Sequence, residues 1–224
     1  MTQDKWTAVD HYIADLLVQS SPALNDALEA SARAGLPAIS VSPTQGKFLQ
    51  QLVQIRGARS ILEIGTLGGY STIWLASALP ADGRLVTLEV DAGRAAVASA
   101  NIANAGLADR VEVRIGPALD TLPQVAADGR GPFDITFIDA DKPNIPEYFT
   151  WAFKLSRRGS VIIVDNVVRD GEVIDAGSDD ASVKGVRRLN EMLAADSRVS
   201  ATVIQTVGSK GYDGFAMVLV TGNP

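Results

Sequence analysis

The sequence predicts an α/β fold: a doubly wound, mainly parallel seven-stranded sheet with an antiparallel last strand, preceded by N-terminal helices. Three observations predict it. Short apolar runs alternate with helical segments from Ser60 to Asp165. Those runs are continuously apolar, as strands covered on both faces are in parallel sheets. Two late runs, Ala201–Thr206 and Phe215–Thr221, are separated only by Val207–Gly214, which is too short for a crossover helix, so that pair must be antiparallel.

Each element has its own signal. Trp6, Val9, Ile13, Leu16 and Leu17 recur at helical spacing. Ser21-Pro22 places a capping hydroxyl before a proline at the first helical position, and Leu24, Ala27, Leu28 and Ala32 continue one face until Gly35-Leu36-Pro37. Ser42-Pro43 opens a further helix, with Gln45 spaced to close a capping box, and Phe48, Leu49, Leu52 and Val53 lead to Gly57. The strands are then Ser60–Ile64, Leu85–Val90, Val111–Ile115, Phe133–Asp139 and Ser160–Asp165. The helices between them are Ser71–Leu79, Gly93–Ala105, Ala118–Ala127 and Ile145–Leu155. Arg169–Ser182 is acidic, contains glycine and is long for a connection, which predicts a mobile lid or rim. Residues 1–224 read as one domain, with residues 1–40 a helical cap whose surplus apolar surface suits dimerisation.

Composition narrows the chemistry. The chain has no cysteine, which excludes disulfides, zinc-thiolate sites, iron–sulfur clusters and a cysteine nucleophile. A single histidine, His11, sits on the first helix and reads as a surface or interface residue. A net charge of −6 disfavours nucleic acid as a partner. No signal peptide is recognisable, and no apolar run approaches the roughly 18 residues of a membrane span, so a cytoplasmic, membrane-free protein is expected.

Two constellations remain. In Ile61-Leu62-Glu63-Ile64-Gly65-Thr66-Leu67-Gly68-Gly69-Tyr70-Ser71 a strand turns into a helix through glycines that let a ligand approach the backbone. The spacing is not G-x-G-x-x-G. Glu89 ends the next strand, where an acid can accept from both hydroxyls of a ribose. The second constellation lies on neighbouring strands, where Asp139 and the Asp165-Asn166 pair end apolar runs and converge beside the Gly65 turn. Three oxygen ligands without His or Cys suit a hard divalent cation: Mg²⁺ first, Mn²⁺ or Ca²⁺ as alternatives. Lys142 lies three residues after Asp139, and a lysine beside a dication can serve as a base. Tyr148 can reach the same rim, whereas Phe149, Trp151 and Phe153 read as core or interface.

These residues resemble the cation-dependent class I S-adenosylmethionine-dependent O-methyltransferases of the caffeoyl-CoA and catechol type, and in particular the small bacterial members. The resemblance runs from about Ala38 to the end, through ILEIGTLGGYS, TLEVD, GPALDTL, FDITFIDADK, VIIVDN and YDGFAMVLV. It implies a Rossmann-like class I methyltransferase fold and a cofactor, S-adenosylmethionine, bound by Val41, Glu63, Gly65, Thr66, Ser71, Glu89, Ala118 and Asp139. It implies a metal on Asp139, Asp165 and Asn166, with Lys142 and Asp139 catalytic. It implies a small phenolic or catechol acceptor and a homodimer. Val167-Val168-Arg169-Asp170 lacks the aromatic residue that follows the Asp-Asn pair in the plant enzymes, and the N-terminal extension is short, which points away from a coenzyme A ester. Two other readings share the nucleoside logic: an NAD(P)-dependent oxidoreductase and a non-enzymatic S-adenosylmethionine-binding protein.

Overall fold

The fold is described from a computed structural model covering residues 2–19 and 21–224. Three helices come first: α1 (Gln3–Leu17), α2 (Pro22–Arg33) and α3 (Pro43–Arg56). Ser21 and Ser42 cap α2 and α3 as expected, each accepting from the backbone N–H three residues on. Gly57 closes α3 in the left-handed region at φ 62°.

The alternating section follows: β1 (Ser60–Ile64), α4 (Tyr70–Ser77), β2 (Arg84–Glu89), α5 (Ala92–Asn104), β3 (Val111–Ile115), α6 (Ala118–Ala127), β4 (Ile135–Ile138), α7 (Ile145–Lys154) and β5 (Val161–Asp165). Then come α8 (Ala181–Ala195), β6 (Val199–Gly208) and β7 (Gly211–Val220). The seven strands form one sheet in the order β3-β2-β1-β4-β5-β7-β6. The first five are parallel, and β7 pairs antiparallel with both β5 and β6.

Side chains alternate across the sheet. Leu62, Ile64, Ile138, Ile162 and Val164 pack with α6, α7 and α8. Ile61, Phe137 and Ile163 pack with α2, α3, α4 and α5. Register aligns the strand ends: Ile64 pairs with both Leu88 and Ile138, and Ile138 with Val164. The residues just past those positions therefore gather along one carboxyl edge. The order reverses there, with β2 on one side of β1 and β4 on the other, which is where such sheets bind ligands.

Three expectations need correction. Arg169–Ser182 is not simply a loop: Arg169–Ile174 forms a short 3₁₀ segment against β7 and α8, and Asp180 caps α8. α8 itself was not foreseen. Val207–Gly214 is mostly strand, closed by a two-residue turn between the paired Gly208 and Gly211, because both strands extend past their apolar cores. Asp139 lies beyond the end of β4, outside the strand expected to include it. Among the described residues no helix is long and apolar enough to cross a membrane.

Candidate active site

A cavity of about 630 Å³ opens at this edge, within the usual size of a small-molecule site. The turn after β1 forms its floor. Gly65 sits at φ 101°, and a Cβ there would lie 2.1 Å from the carbonyl oxygen of Asp139. Only glycine lets the β1 and β4 ends come this close. Gly69, at φ 82°, is the N-cap of α4, so the N-terminus of α4 faces the cavity.

The structure places the expected residues as follows. Val41, Gly65, Thr66, Ser71, Glu89, Ala118, Asp139, Lys142 and Asn166 all border the cavity. Glu89 is nearly buried, and its carboxylate accepts the N–H of Leu67 at 2.8 Å and of Asp91 at 3.0 Å. Each oxygen keeps a lone pair for a further donor. Thr66 Oγ1 donates to Thr87 Oγ1 at 2.6 Å, since Thr87 in turn donates to Glu63 at 2.7 Å.

Glu63 is a correction. It does not border the cavity but lies fully buried behind it. Its place in the alternation puts it on the Ile61 side of the sheet, under α4. There it accepts hydrogen bonds from Ser71 at 2.7 Å and from Thr72 and Thr87. Burial pushes its carboxyl up to about 7, against the lowering effect of those hydroxyls. It therefore reaches the cavity through Ser71 directly and through Thr87 to Thr66.

The acid cluster assembles beside this floor. Lys142 Nζ stands 3.0 Å from Asp139 Oδ1, with the lysine side chain 11% exposed. Asp165 is 5% exposed and sits just behind the cavity wall. Burial raises its carboxyl to about 7, the facing charge of Asp139 adds to this, and Lys142 opposes it. Its Oδ1 accepts the N–H of Asn166 at 2.9 Å, and Oδ2 accepts from Gln45 Nε2 at 2.7 Å. Asn166 adopts φ 57°, which asparagine tolerates better than most residues. The capping-box expectation for Gln45 is thereby overturned: its backbone N–H meets Ser42 Oγ at 3.2 Å, but its side chain turns to Asp165.

Two carboxylates and an asparagine at one strand edge are a hard-donor set that a divalent cation fits, because it would relieve the repulsion between Asp139 and Asp165. Among the described residues no group of three or more His, Cys, Asp or Glu side chains is spaced to hold a metal. His11 is exposed on α1, away from the cavity wall.

Several wall residues carried no sequence signal. Ile39 and Ser40 cover the cavity from the α2–α3 connection, and Arg94, Pro117 and Leu119 close the Glu89 side. Tyr148 borders the cavity as expected and donates to Asp141, which also accepts from Asn144. Burial and the neighbouring Asp141 hold the Tyr148 phenol above its ordinary range.

A family model described as O-methyltransferase matches residues 15–219. The catechol O-methyltransferase of Niastella koreensis is 56% identical over 220 residues, covering 98% of this chain and 100% of its own length. The crystal structure of the O-methyltransferase from Bacillus cereus in complex with SAH superposes with a TM-score of 0.97 at 60% identity, covering 98% and 100% of the two chains. An O-methyltransferase from Streptomyces achromogenes involved in tomaymycin synthesis, in complex with SAM, gives a TM-score of 0.96 at 56% identity, covering 99% and 100%.

Proposed function

We propose, for a chain that belongs to the O-methyltransferase family and is an S-adenosylmethionine-dependent O-methyltransferase, that the acceptor is one hydroxyl of a vicinal dihydroxyphenol and that a divalent cation assists. The observation that carries this reading is the Asp139–Lys142 pair at 3.0 Å, with Asp165 and Asn166 at the same strand edge beside the cavity. Neither a nicotinamide oxidoreductase nor a non-enzymatic binding protein agrees with the family.

The cofactor supplies a methyl group already activated on a sulfonium. The chain's residues must hold the donor, bring an oxygen into line and remove a proton. Gly65, Thr66, Ser71 and Ala118 give the donor its cradle, Val41 covers it, and Glu89 accepts from its ribose. Glu63 acts through Ser71. A free phenol, with a pKa near 10, is mostly protonated at neutral pH. A cation held by Asp139, Asp165 and Asn166 would lower that pKa and hold both hydroxyls in one orientation. Mg²⁺ is the first candidate, with Mn²⁺ or Ca²⁺ as alternatives. With the cation holding Asp139, Lys142 would enter the step as the neutral amine, having given its own proton to solvent, and Nζ then receives the phenolic proton. The oxygen's electron pair forms the O–CH₃ bond, and the S–CH₃ pair stays on sulfur, giving a methoxyphenol and S-adenosylhomocysteine.

The decisive assay follows methyl transfer from labelled S-adenosylmethionine to caffeic acid and 3,4-dihydroxybenzoic acid, with Mg²⁺ and with EDTA. Transfer that EDTA abolishes supports the reading. Transfer that survives EDTA removes the cation and leaves Asp139 and Lys142 as base and positioning groups. The Asp165→Ala variant should lose cation-dependent turnover and keep most cofactor binding.

The N-terminal helices serve as cap and dimer contact in this reading. On α1, Tyr12, Leu16 and Leu17 are 63–70% exposed, and α1 packs on β6, where Val203, Ile204 and Val207 are also exposed. Burying such a face against a second copy would remove apolar surface that a lone subunit leaves in water.

A further inference from the structure

The first turn of α3 sends one side chain away from its own helix. Gln45 stands where a Glu or Gln normally reaches back to the N-cap N–H. Its amide instead crosses to the carboxyl edge of the sheet, 120 positions along the chain, and Nε2 donates to Asp165 Oδ2 at 2.7 Å. A carboxylate that ligates a cation only accepts, so toward a ligating Asp165 the end of the amide that faces it is the NH₂, as Nε2 does here. The second oxygen of Asp165 is held by the Asn166 N–H at 2.9 Å. One donor on each oxygen fixes the plane of the carboxylate and still leaves lone pairs on both.

We propose that Gln45 is a positioning residue for the cation site, holding the Asp165 carboxylate in its ligating orientation without touching the ion itself. The inference rests on the cation-assisted reading above. An aspartate left alone turns broadly about its last torsion. A carboxylate already fixed by the fold does not have to be ordered when the ion arrives, so affinity rises. Gln45 also belongs to the stretch that covers the cavity. Ile39, Ser40 and Val41 line the wall, Ser42 caps α3 through the Gln45 N–H, and the Gln45 side chain then meets the ligand. One segment from outside the sheet thus contributes to both halves of the site.

The test is Mn²⁺ binding to the purified protein, without donor or acceptor, by the loss of the free-ion electron paramagnetic resonance signal. Wild type, Gln45→Met, Gln45→Leu and Asp165→Ala are compared, and S-adenosylhomocysteine affinity is measured by calorimetry for each. Gln45→Met keeps the length of the side chain and removes the amide. Both Gln45 variants should weaken Mn²⁺ binding about 10- to 100-fold, the usual cost of losing a partner that orients a ligand. Their S-adenosylhomocysteine affinity should stay at the wild-type value, and the Mn²⁺ concentration for half-maximal turnover should rise by the same factor, with kcat regained at saturation. A parallel loss of S-adenosylhomocysteine affinity would show a general structural role and overturn the proposal. Wild-type Mn²⁺ affinity in both Gln45 variants, with affinity lost in Asp165→Ala, overturns this inference alone. Wild-type Mn²⁺ affinity in Asp165→Ala, or no Mn²⁺ binding by wild type, overturns the cation reading and this inference with it.

Discussion

Replacing Gly65 with alanine tests whether the site depends on the close approach of β1 and β4. The added Cβ would fall 2.1 Å from the Asp139 carbonyl oxygen and 2.8 Å from its carbon, both backbone atoms that cannot swing aside. Ordinary contact needs roughly an ångström more, so the Asp139 backbone has to move by about that much. The residue must also hold φ 101°, where a side chain costs about 1–3 kcal/mol. Overpacking adds about 1–3 kcal/mol. The sum, about 2–6 kcal/mol, is a large part of a typical domain's stability and should lower Tm by at least about 4 °C. Moving Asp139 by an ångström displaces a cavity wall and a candidate ligand together, and misplacement on that scale costs about 10²-fold in rate. Gly57→Ala is the control. It has φ 62° but meets nothing within 4 Å, so it carries the backbone strain without the clash. Thermal melts, S-adenosylhomocysteine calorimetry and kcat/KM would be compared for the pair. A Gly65→Ala enzyme that behaves like Gly57→Ala in all three would refute the reasoning.

Other outcomes follow from the same geometry. Glu63, raised from 4.5 to about 7, holds its proton in the fold at pH values where the unfolded chain has lost it. Its contribution to stability is fully present below about 4.5 and is lost as pH rises through about 7. The change is on the order of 3 kcal/mol. Denaturant titrations from pH 5 to pH 8 should show wild type losing stability relative to Glu63→Gln, and parallel curves would contradict the shift. Asp134→Ala should cost about 1–3 kcal/mol by urea melts, because it strands the Arg59 and Ser60 N–H groups, yet leave activity per folded molecule intact. Wild-type stability gained from Asp134 should fade as pH drops through its lowered carboxyl range, since the unfolded form protonates first. Leu16→Asp on the exposed face of α1 should give a monomer by light scattering if that face joins two copies, whereas a variant that remains dimeric would move the interface elsewhere.

Strands were legible where β-branched and apolar residues recur between turn signals. β1 and β3 have the ends that the apolar runs mark, and α6 likewise. The acid cluster was legible because strand register alone aligns Asp139 with Asp165. α8 carries a glycine in its first half, Gly185, and glycine is a poor helix former. The structure explains that glycine: a Cβ there would sit 2.2 Å from the Lys142 carbonyl oxygen, so α8 needs it to press on the loop that carries Lys142. Its apolar face, Val183, Val186 and Leu189, has the spacing of a helix once that contact is known. Gln45 was misread for a related reason. Local spacing favoured the cap, but a buried carboxylate far along the chain offered the amide a stronger partner. Glu63 was assigned to the wall by its place in the motif, although the period of the strand already put it under α4.

The two edges of the sheet treat acids in opposite ways, and this separates stability from chemistry. Asp134, at the edge where the strands begin, is as buried as Asp165, and burial alone would raise it. The Arg59 and Ser60 N–H groups and Arg157 overcome that and hold it below the ordinary range. Asp165 is more deeply desolvated and also faces another carboxylate, and Lys142, Asn166 and Gln45 do not offset the two effects. Backbone strain follows the same division. Among the described residues, the non-glycine positions with positive φ are Leu67, Asn166, Arg169 and Asp170, all in the connections after β1 and β5. Folding alone would not concentrate repulsion and strain on one edge while satisfying the other. Perturbed acids and left-handed backbone gathered at the carboxyl edge mark it as the functional edge of the sheet.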